Sequence, residues 1–242
     1  MGGECEQQRG AVGEVKKQLA LVYAGYFFRY VYLLVLIPYY ARVLGAESYG
    51  VVVASMTVYT MVWTVQNWGF SGAGSRNIAT SSGSLEVQRQ ELARHMTARL
   101  ILLPAALLVG ALTIYKAPLL RDHMISSLAA LACGVLAGFN LGWFFQGRMN
   151  FNTPIAIEIF GFVAMLAMVF GFVRSPSDNE WVMPFLLIST LASTALAYVL
   201  VRRIVRIGLS DFAAGWSLIK ESFPLFISAG TDRKSVGVGK EC

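Results

Sequence analysis

Charge is what this sequence has least of. Only 14% of its 242 residues are Asp, Glu, Lys or Arg, against about 25% in an ordinary soluble domain. Histidine is reduced to His95 and His123, and the three cysteines, Cys5, Cys133 and Cys242, are scattered. No CxxC pair and no Cys/His ligand spacing occurs, so neither disulfides nor a metal site is expected. Both histidines lack ligand-like neighbours and are expected at a membrane interface. Paired acidic residues in one loop and a Ser/His/Asp ordering are also missing, so no catalytic residue and no cofactor is assigned and an enzyme is not expected. The run Gly237-Val-Gly-Lys240 has Glu241 where a phosphate-binding loop needs Ser or Thr, and Lys234 where it needs Gly. The run Gly69-Phe-Ser-Gly-Ala-Gly74 follows no strand and lacks the third glycine of a dinucleotide fingerprint, so a tight turn and a close helix approach are its expected uses.

What fills the space is apolar. The chain is 56% hydrophobic with a mean hydropathy of +0.57, and that surface needs lipid as its solvent. In lipid the backbone must satisfy its own hydrogen bonds, which leaves helices or a closed barrel. Barrel strands alternate over about 10 residues; the runs here are about twice as long and do not alternate. The fold class expected is therefore an all-α membrane bundle. Runs long enough for spans of about 20 residues fall at 18–40, 49–68, 98–115, 124–145, 154–173 and 181–201, with the third continuing a polar helix from near Leu85. A shorter run over 223–229 reads as the start of a seventh. Thr153 is expected to cap the fifth helix with Pro154 at its first position, and Pro38 to bend or end the first. Trp68, Trp143 and Trp181 fall at predicted ends, where amphipathic rings favour the headgroup region. The expected organisation is a cytoplasmic segment over 1–17, a six-helix lobe over 18–208, a connection with a truncated seventh helix over 209–230, and a tail over 231–242. That tail is basic and glycine-interrupted, and is expected to be non-native.

The basic residues are unevenly shared. Arg9, Lys16, Lys17, Arg76, Arg89, Arg94, Arg99, Arg148, Arg202, Arg203, Arg206 and Lys220 fall on one side of the expected topology. Only Arg42, Lys116, Arg121 and Arg174 fall on the other. The positive-inside rule puts the N-terminus in the cytoplasm. The same distribution, basic residues beside apolar runs, argues against nucleic acid despite a net charge of +6. Arg29 stands apart, about eleven residues from either end of the first span. A central Arg costs at least about +2.5 kcal/mol on insertion scales, so it should face protein or a water-filled cavity. Two readings of it stay open. It could receive an anionic group such as a phosphate, which guanidinium matches bidentately, with Tyr26 and Tyr32 at neighbouring helical positions. It could equally be a structural Arg paired with a carboxylate. Glu158 could line a cavity, pair with Arg29 or Arg148, or simply sit near a helix N-terminus. Asn67 and Gln146, with Gln66 and Asn140, suit either a cavity wall or helix–helix glue.

Four motifs, in order, resemble a known family. They are Tyr39-Tyr-Ala-Arg-Val-Leu-Gly-Ala-Glu-Ser-Tyr-Gly50, then Asn67-Trp-Gly-Phe70 with Gly74-Ser-Arg-Asn-Ile-Ala79, then Gly142-Trp-Phe-Phe-Gln-Gly147, then Lys220-Glu-Ser-Phe-Pro-Leu-Phe-Ile227. Together they resemble Wzx-type polysaccharide or O-antigen flippases, the polysaccharide biosynthesis protein branch of the multidrug/oligosaccharidyl-lipid/polysaccharide exporter superfamily. The resemblance implies the N-terminal lobe of a transporter with two six-helix lobes, the second lobe being absent. It implies movement of undecaprenyl-diphosphate-linked oligosaccharide across the bacterial inner membrane by alternating access. The implied partners are the bilayer, the lipid-linked oligosaccharide, the missing lobe and polysaccharide polymerase machinery. On this reading Arg29 meets the diphosphate, with Tyr26, Tyr32 and Asn140 around the glycan or linker, and Glu158, Asn67 and Gln146 as cavity or coupling residues. The alternatives are a drug/cation antiporter of the same superfamily, which would need intramembrane carboxylates, and a membrane-embedded enzyme of cell-envelope lipid assembly.

Overall fold

The structure is a computed structural model that describes Tyr23, Gly25, 27–81 and 83–235, with side chains as far as Ser228. The described residues are helical throughout their regular elements, without a strand. Helix α1 covers 27–43. It is followed by α2 (Gly45–Asn67), α3 (Phe70–Ala79), α4 (Leu85–Lys116), α5 (Pro118–Asp122), α6 (Met124–Gly138), α7 (Gly142–Gly147), α8 (Asn152–Phe172), a 3-10 turn (Pro176–Asp178), α9 (Asn179–Arg202) and α10 (Phe212–Ser235). Five stretches among the described residues are long and apolar enough to cross a membrane: α2, α4, α6 with α7, α8, and the 3-10 turn with α9. The chain is an all-α, multi-pass membrane bundle.

Helix α2 is the hub, packing on α4, α6 and α9. Its contact with α6 is close because α6 presents a small face of Ser126, Ala130, Cys133, Gly134 and Gly138. Small residues let membrane helices approach, since lipid offers no hydrophobic drive between them. Ser126 donates to Ser55 across that seam at 3.0 Å. The main core gathers Val52, Val58 and Val62 with Ala106, Met165, Val182 and Met183. The outer surface is apolar too, with Leu34, Leu112, Leu128 and Phe172 exposed, as a lipid-facing surface must be.

The two ends of the bundle differ. At one end α2 stops where Trp68 and Gly69 both turn left-handed (φ 42° and 76°). Gly69 is needed there twice over, because a Cβ would also lie 3.1 Å from the α10 backbone at Phe226. That end collects α3, the start of α4, α7 and the start of α10. Arg148 donates to Gln88 at 2.6 Å, and Arg94 bridges Glu91 of α4 and Glu221 of α10 at 3.3 and 3.2 Å. The opposite end carries α5 and the 3-10 turn, where Asp178 accepts from Ser175 in a capping box and His123 meets Glu180 at 3.2 Å.

Several local expectations shift. The predicted fourth span is two helices, parted at 139–141, where the Asn140 side chain accepts the Gly142 N–H at 2.7 Å and so replaces a helical bond. Helix α8 starts at Asn152 with Phe151 as its cap, and Asn150 rather than Thr153 supplies the side-chain acceptor, taking the Thr153 N–H at 3.3 Å. Pro154 therefore sits in the first turn, where its missing N–H costs nothing. Pro38 does not end α1, which runs on to residue 43. His95 and Trp143 are buried within the protein, ring against ring.

Candidate functional site

Arg29 and Glu158 meet. Arg29 Nε and Nη2 both donate to Glu158 Oε1, the Nε contact at 3.0 Å. The pair joins α1 to α8, and it uses two of the five guanidinium N–H donors. Neither side chain is sealed: 52% of Arg29 and 35% of Glu158 remain exposed. With α8 starting at Asn152, Glu158 lies nearly two turns in, beyond the first turn where the helix dipole acts. Its partner is thus the guanidinium and not the helix end. Arg148 is held instead by Gln88.

Aromatic rings extend this seam. Tyr32 stacks on Phe162 of α8 with centroids 4.4 Å apart, Phe28 lies 6.2 Å from the same ring, and Tyr39 meets Phe170 edge-on at 4.6 Å. Tyr39 also donates to the Val173 carbonyl at 2.7 Å. The α1–α8 seam is therefore a row of rings ending on an ion pair. Tyr26 lies outside the described residues. Below the pair, a Cβ on Gly25 would sit 3.3 Å from Ile155, so the helices converge toward the start of α8.

The remaining predicted residues are elsewhere. Asn140 is exposed in the α6–α7 joint with its side chain on the Gly142 N–H, and no hydrogen bond or ion pair joins it to Arg29 among the described residues. Asn67 accepts from the Ser71 hydroxyl at 2.6 Å at the end of α2, and Gln146 is exposed on α7. Neither reaches the Arg29 pair by a hydrogen bond.

A second polar centre escaped the sequence reading. Arg99 is fully buried, donates through Nη1 to the Asn140 carbonyl at 3.3 Å, and lies over the Trp143 ring, 5.7 Å from its centroid. Gln66 donates to the Arg99 carbonyl at 2.9 Å. His95 is packed between Trp143 and Phe70, at 4.4 and 5.7 Å. Spacing held the signal. Gln88, Glu91, His95 and Arg99 fall at three- and four-residue intervals in line with Leu102, Ala106 and Gly110, and all are buried. A polar residue in line with an apolar stripe faces the bundle, whatever side its charge was assigned to.

No group of three or more His, Cys, Asp or Glu that could hold a metal occurs among the described residues. An open groove of about 370 Å³ between α8 and α9 is lined by Asn152, Thr153, Ala156, Phe160, Leu196 and Leu200, and is largely apolar.

Residues 15–231 match the family model described as polysaccharide biosynthesis protein. The chain is also 20% identical over 222 residues to a Shigella dysenteriae protein named "Putative O-antigen transporter", an alignment covering 88% of this chain and 54% of that protein. The chain thus spans about half the length of the curated relative it matches. No solved structure matches it. With a match over most of its length, an all-helical membrane bundle and the motifs in order, the chain belongs to the polysaccharide biosynthesis protein family.

Proposed function

We propose that this chain is the N-terminal lobe of a transporter, not an enzyme, that moves lipid-linked oligosaccharide across the bacterial cytoplasmic membrane by alternating access. The cargo on this reading is an undecaprenyl-diphosphate-linked repeat unit. Arg29 receives the diphosphate, and Tyr26, Tyr32 and Asn140 serve the glycan or linker, with Asn67 and Gln146 as cavity or coupling residues. The second lobe faces Arg29 across a central cavity, the N-terminus is cytoplasmic, and the product passes to polysaccharide polymerase machinery. Family membership supports the general role.

One observation carries the assignment to Arg29. A guanidinium deep in the chain's first apolar run is half exposed and held by a single carboxylate oxygen. A charge in that position must face water or protein, not lipid. A carboxylate that is itself accessible is an exchangeable partner: a diphosphate offers the same donors more acceptor oxygens and more charge. Glu158 then has a role as placeholder, keeping Arg29 paired while no cargo is bound. The same contact is the structural pairing that the sequence left open, and the two roles are compatible.

The test is export of surface polysaccharide by cells carrying the full-length protein with Arg29→Ala or Arg29→Lys. The Ala variant is expected to lose export. The Lys variant keeps the charge but not the fork, so partial rescue is expected. Normal export by both variants at normal protein levels would overturn the phosphate role.

A further inference from the structure

Helices α8 and α9 touch closely at one level. Ser189 of α9 donates to the Gly161 carbonyl of α8 at 2.6 Å, and a Cβ on Gly161 would lie 2.5 Å from Ser193 Oγ. On the basic-end side of that contact lies the groove of about 370 Å³. Its floor is Ile157, which is 5% exposed and belongs to the core cluster of Phe144, Phe145, Ala197 and Val201. Its rims include Phe160 and Leu196, both exposed. Asn152 and Thr153 line it where α8 starts. The groove is therefore apolar along its length, polar at one end, and open to the outside of the bundle.

Positive charge gathers beyond the polar end. Arg202, Arg203 and Arg206 are exposed, and none makes an ion pair among the described residues. Arg203 is on the groove's own face, because Leu196, Leu200 and Arg203 fall at i, i+4 and i+7. It is the C-cap of α9 and keeps a right-handed helical backbone (φ −74°, ψ −17°), so the face continues through it. The next acid along the chain is Asp211, five residues beyond Arg206. The one carboxylate of α8, Glu158, is two positions from both Ala156 and Phe160, about 200° round the helix from each. It is also taken by Arg29. An apolar slot that runs up to unpaired cations suits a molecule divided in the same way. Basic pockets between membrane helices recognise anionic lipid headgroups by this arrangement.

We infer that the α8–α9 groove is a binding site for an anionic phospholipid of the leaflet at the basic end. One acyl chain lies between Phe160 and Leu196, over Ile157. The phosphate meets Arg203, with Asn152 and Thr153 beside the glycerol and the headgroup hydroxyls. Apolar burial is non-directional, so the groove by itself holds a chain without choosing a lipid. The choice comes from Arg203, since a zwitterionic phospholipid brings a cation of its own to the same place. The site is on the far side of α8 from Glu158, so it stands apart from the transport reading and from Arg29.

Lipid titration of the full-length protein in detergent tests it. Phosphatidylglycerol and phosphatidylcholine with the same acyl chains are added in turn, and bound lipid is counted by native mass spectrometry. Phosphatidylglycerol is expected to bind about fivefold more tightly, the share of one basic residue near an anionic headgroup. Arg203→Gln should remove that preference and leave phosphatidylcholine binding as it was, while Arg203→Lys should keep it. Arg89→Gln, at an exposed position on α4 at the same end, should leave the preference intact. Phosphatidylglycerol with a photoreactive acyl chain should label Ala156, Phe160, Leu196 or Leu200. Ala156→Trp, which fills the groove from an exposed position, should lose the label. Equal affinities for the two lipids in the wild type overturn the proposal, and so does labelling confined to other helices. An equal loss in Arg203→Gln and Arg89→Gln overturns it too, since the attraction would then be a diffuse property of the basic end. Undecaprenyl diphosphate that displaces the label at lower concentration than phosphatidylglycerol would give the groove to the cargo chain, and overturns it as well.

Discussion

Arg29 and Arg99 are the same chemical group on two helices of one bundle, and their surroundings are opposites. Arg29 is half exposed, has a carboxylate on a facing helix, and sits in a row of aromatic rings between α1 and α8. Arg99 is wholly buried, lacks a carboxylate partner among the described residues, and is packed on an indole between α4 and α7. Exposure decides what each can do. An accessible cation can exchange partners, so changing it should alter function and spare the fold. A sealed cation is held by packing, so changes around it should be felt first in stability. Substitutions in the two surroundings should therefore separate by size and by kind.

The largest effect belongs to the sealed centre. Gly74→Ala places a methyl group 2.4 Å from the Trp143 ring, a rigid group that is itself pinned by His95 and Arg99. Overpacking of this kind costs about 1–3 kcal/mol. Gly72, on the same short helix, has nothing within 4 Å of its Cβ position, so Gly72→Ala should stabilise by about 0.5–1 kcal/mol through helix propensity. Unfolding midpoints of the two variants against wild type check the sign as well as the size. Equal effects would mean that α3 and α7 are not in close contact at Gly74.

How much of this was readable in the sequence divides along the same line. Five of the six expected spans were readable because an apolar run of membrane length is too long for an ordinary core helix, and α4 follows the expected course from Leu85 to Lys116, while the first expected span, 18–40, lies partly outside the described residues. Arg29 was readable as a charge that must face protein or water, though not as to which of its two roles it takes. The Arg29–Glu158 contact was open among alternatives, since pairing across 129 residues depends on how α1 and α8 pack. Arg99 was counted only toward topology, and its burial passed unnoticed, for a physical reason. It lies where a polar helix becomes an apolar one, and counting charges toward topology assigns such a residue to the aqueous side. Burial there comes from α3 and α7 folding back over α4, and the only local sign of it is the three- and four-residue spacing that puts Arg99 in line with Leu102 and Ala106. The 139–141 break was hidden likewise, because Asn140 is the single amide in an apolar run and its side chain replaces the helical bond it displaces.

An intermediate effect tests the ring row. Tyr32 and Phe162 stack at 4.4 Å with nearly parallel planes. Aromatic pairs contribute about 0.5–1.5 kcal/mol beyond the area they bury. A double-mutant cycle of Tyr32→Leu and Phe162→Leu should return a coupling in that range, read from unfolding in nanodiscs. A coupling near zero would mean that the rings are merely adjacent. Tyr32 would then be free to turn toward a glycan, and the seam would lose its role in placing Arg29.

The smallest effect is the most informative about solvent. Glu158→Gln, Arg29→Gln and the double variant form a cycle across the ion pair. In water, exposed pairs couple by about 0.2–1 kcal/mol, because screening and side-chain ordering offset most of the attraction. With 52% of Arg29 and 35% of Glu158 accessible, the expected coupling lies within that range and shrinks as salt is raised. The outcome separates two surroundings that share the same fractional exposure. If the exposed face borders water, the coupling is small and salt-sensitive, and Arg29 can trade Glu158 for a diphosphate. If it borders lipid, each single variant strands a charge in a dry place, and the coupling rises to several kcal/mol without a salt dependence. The second result would make the pair a structural clasp between α1 and α8, leaving Arg29 no longer available to cargo.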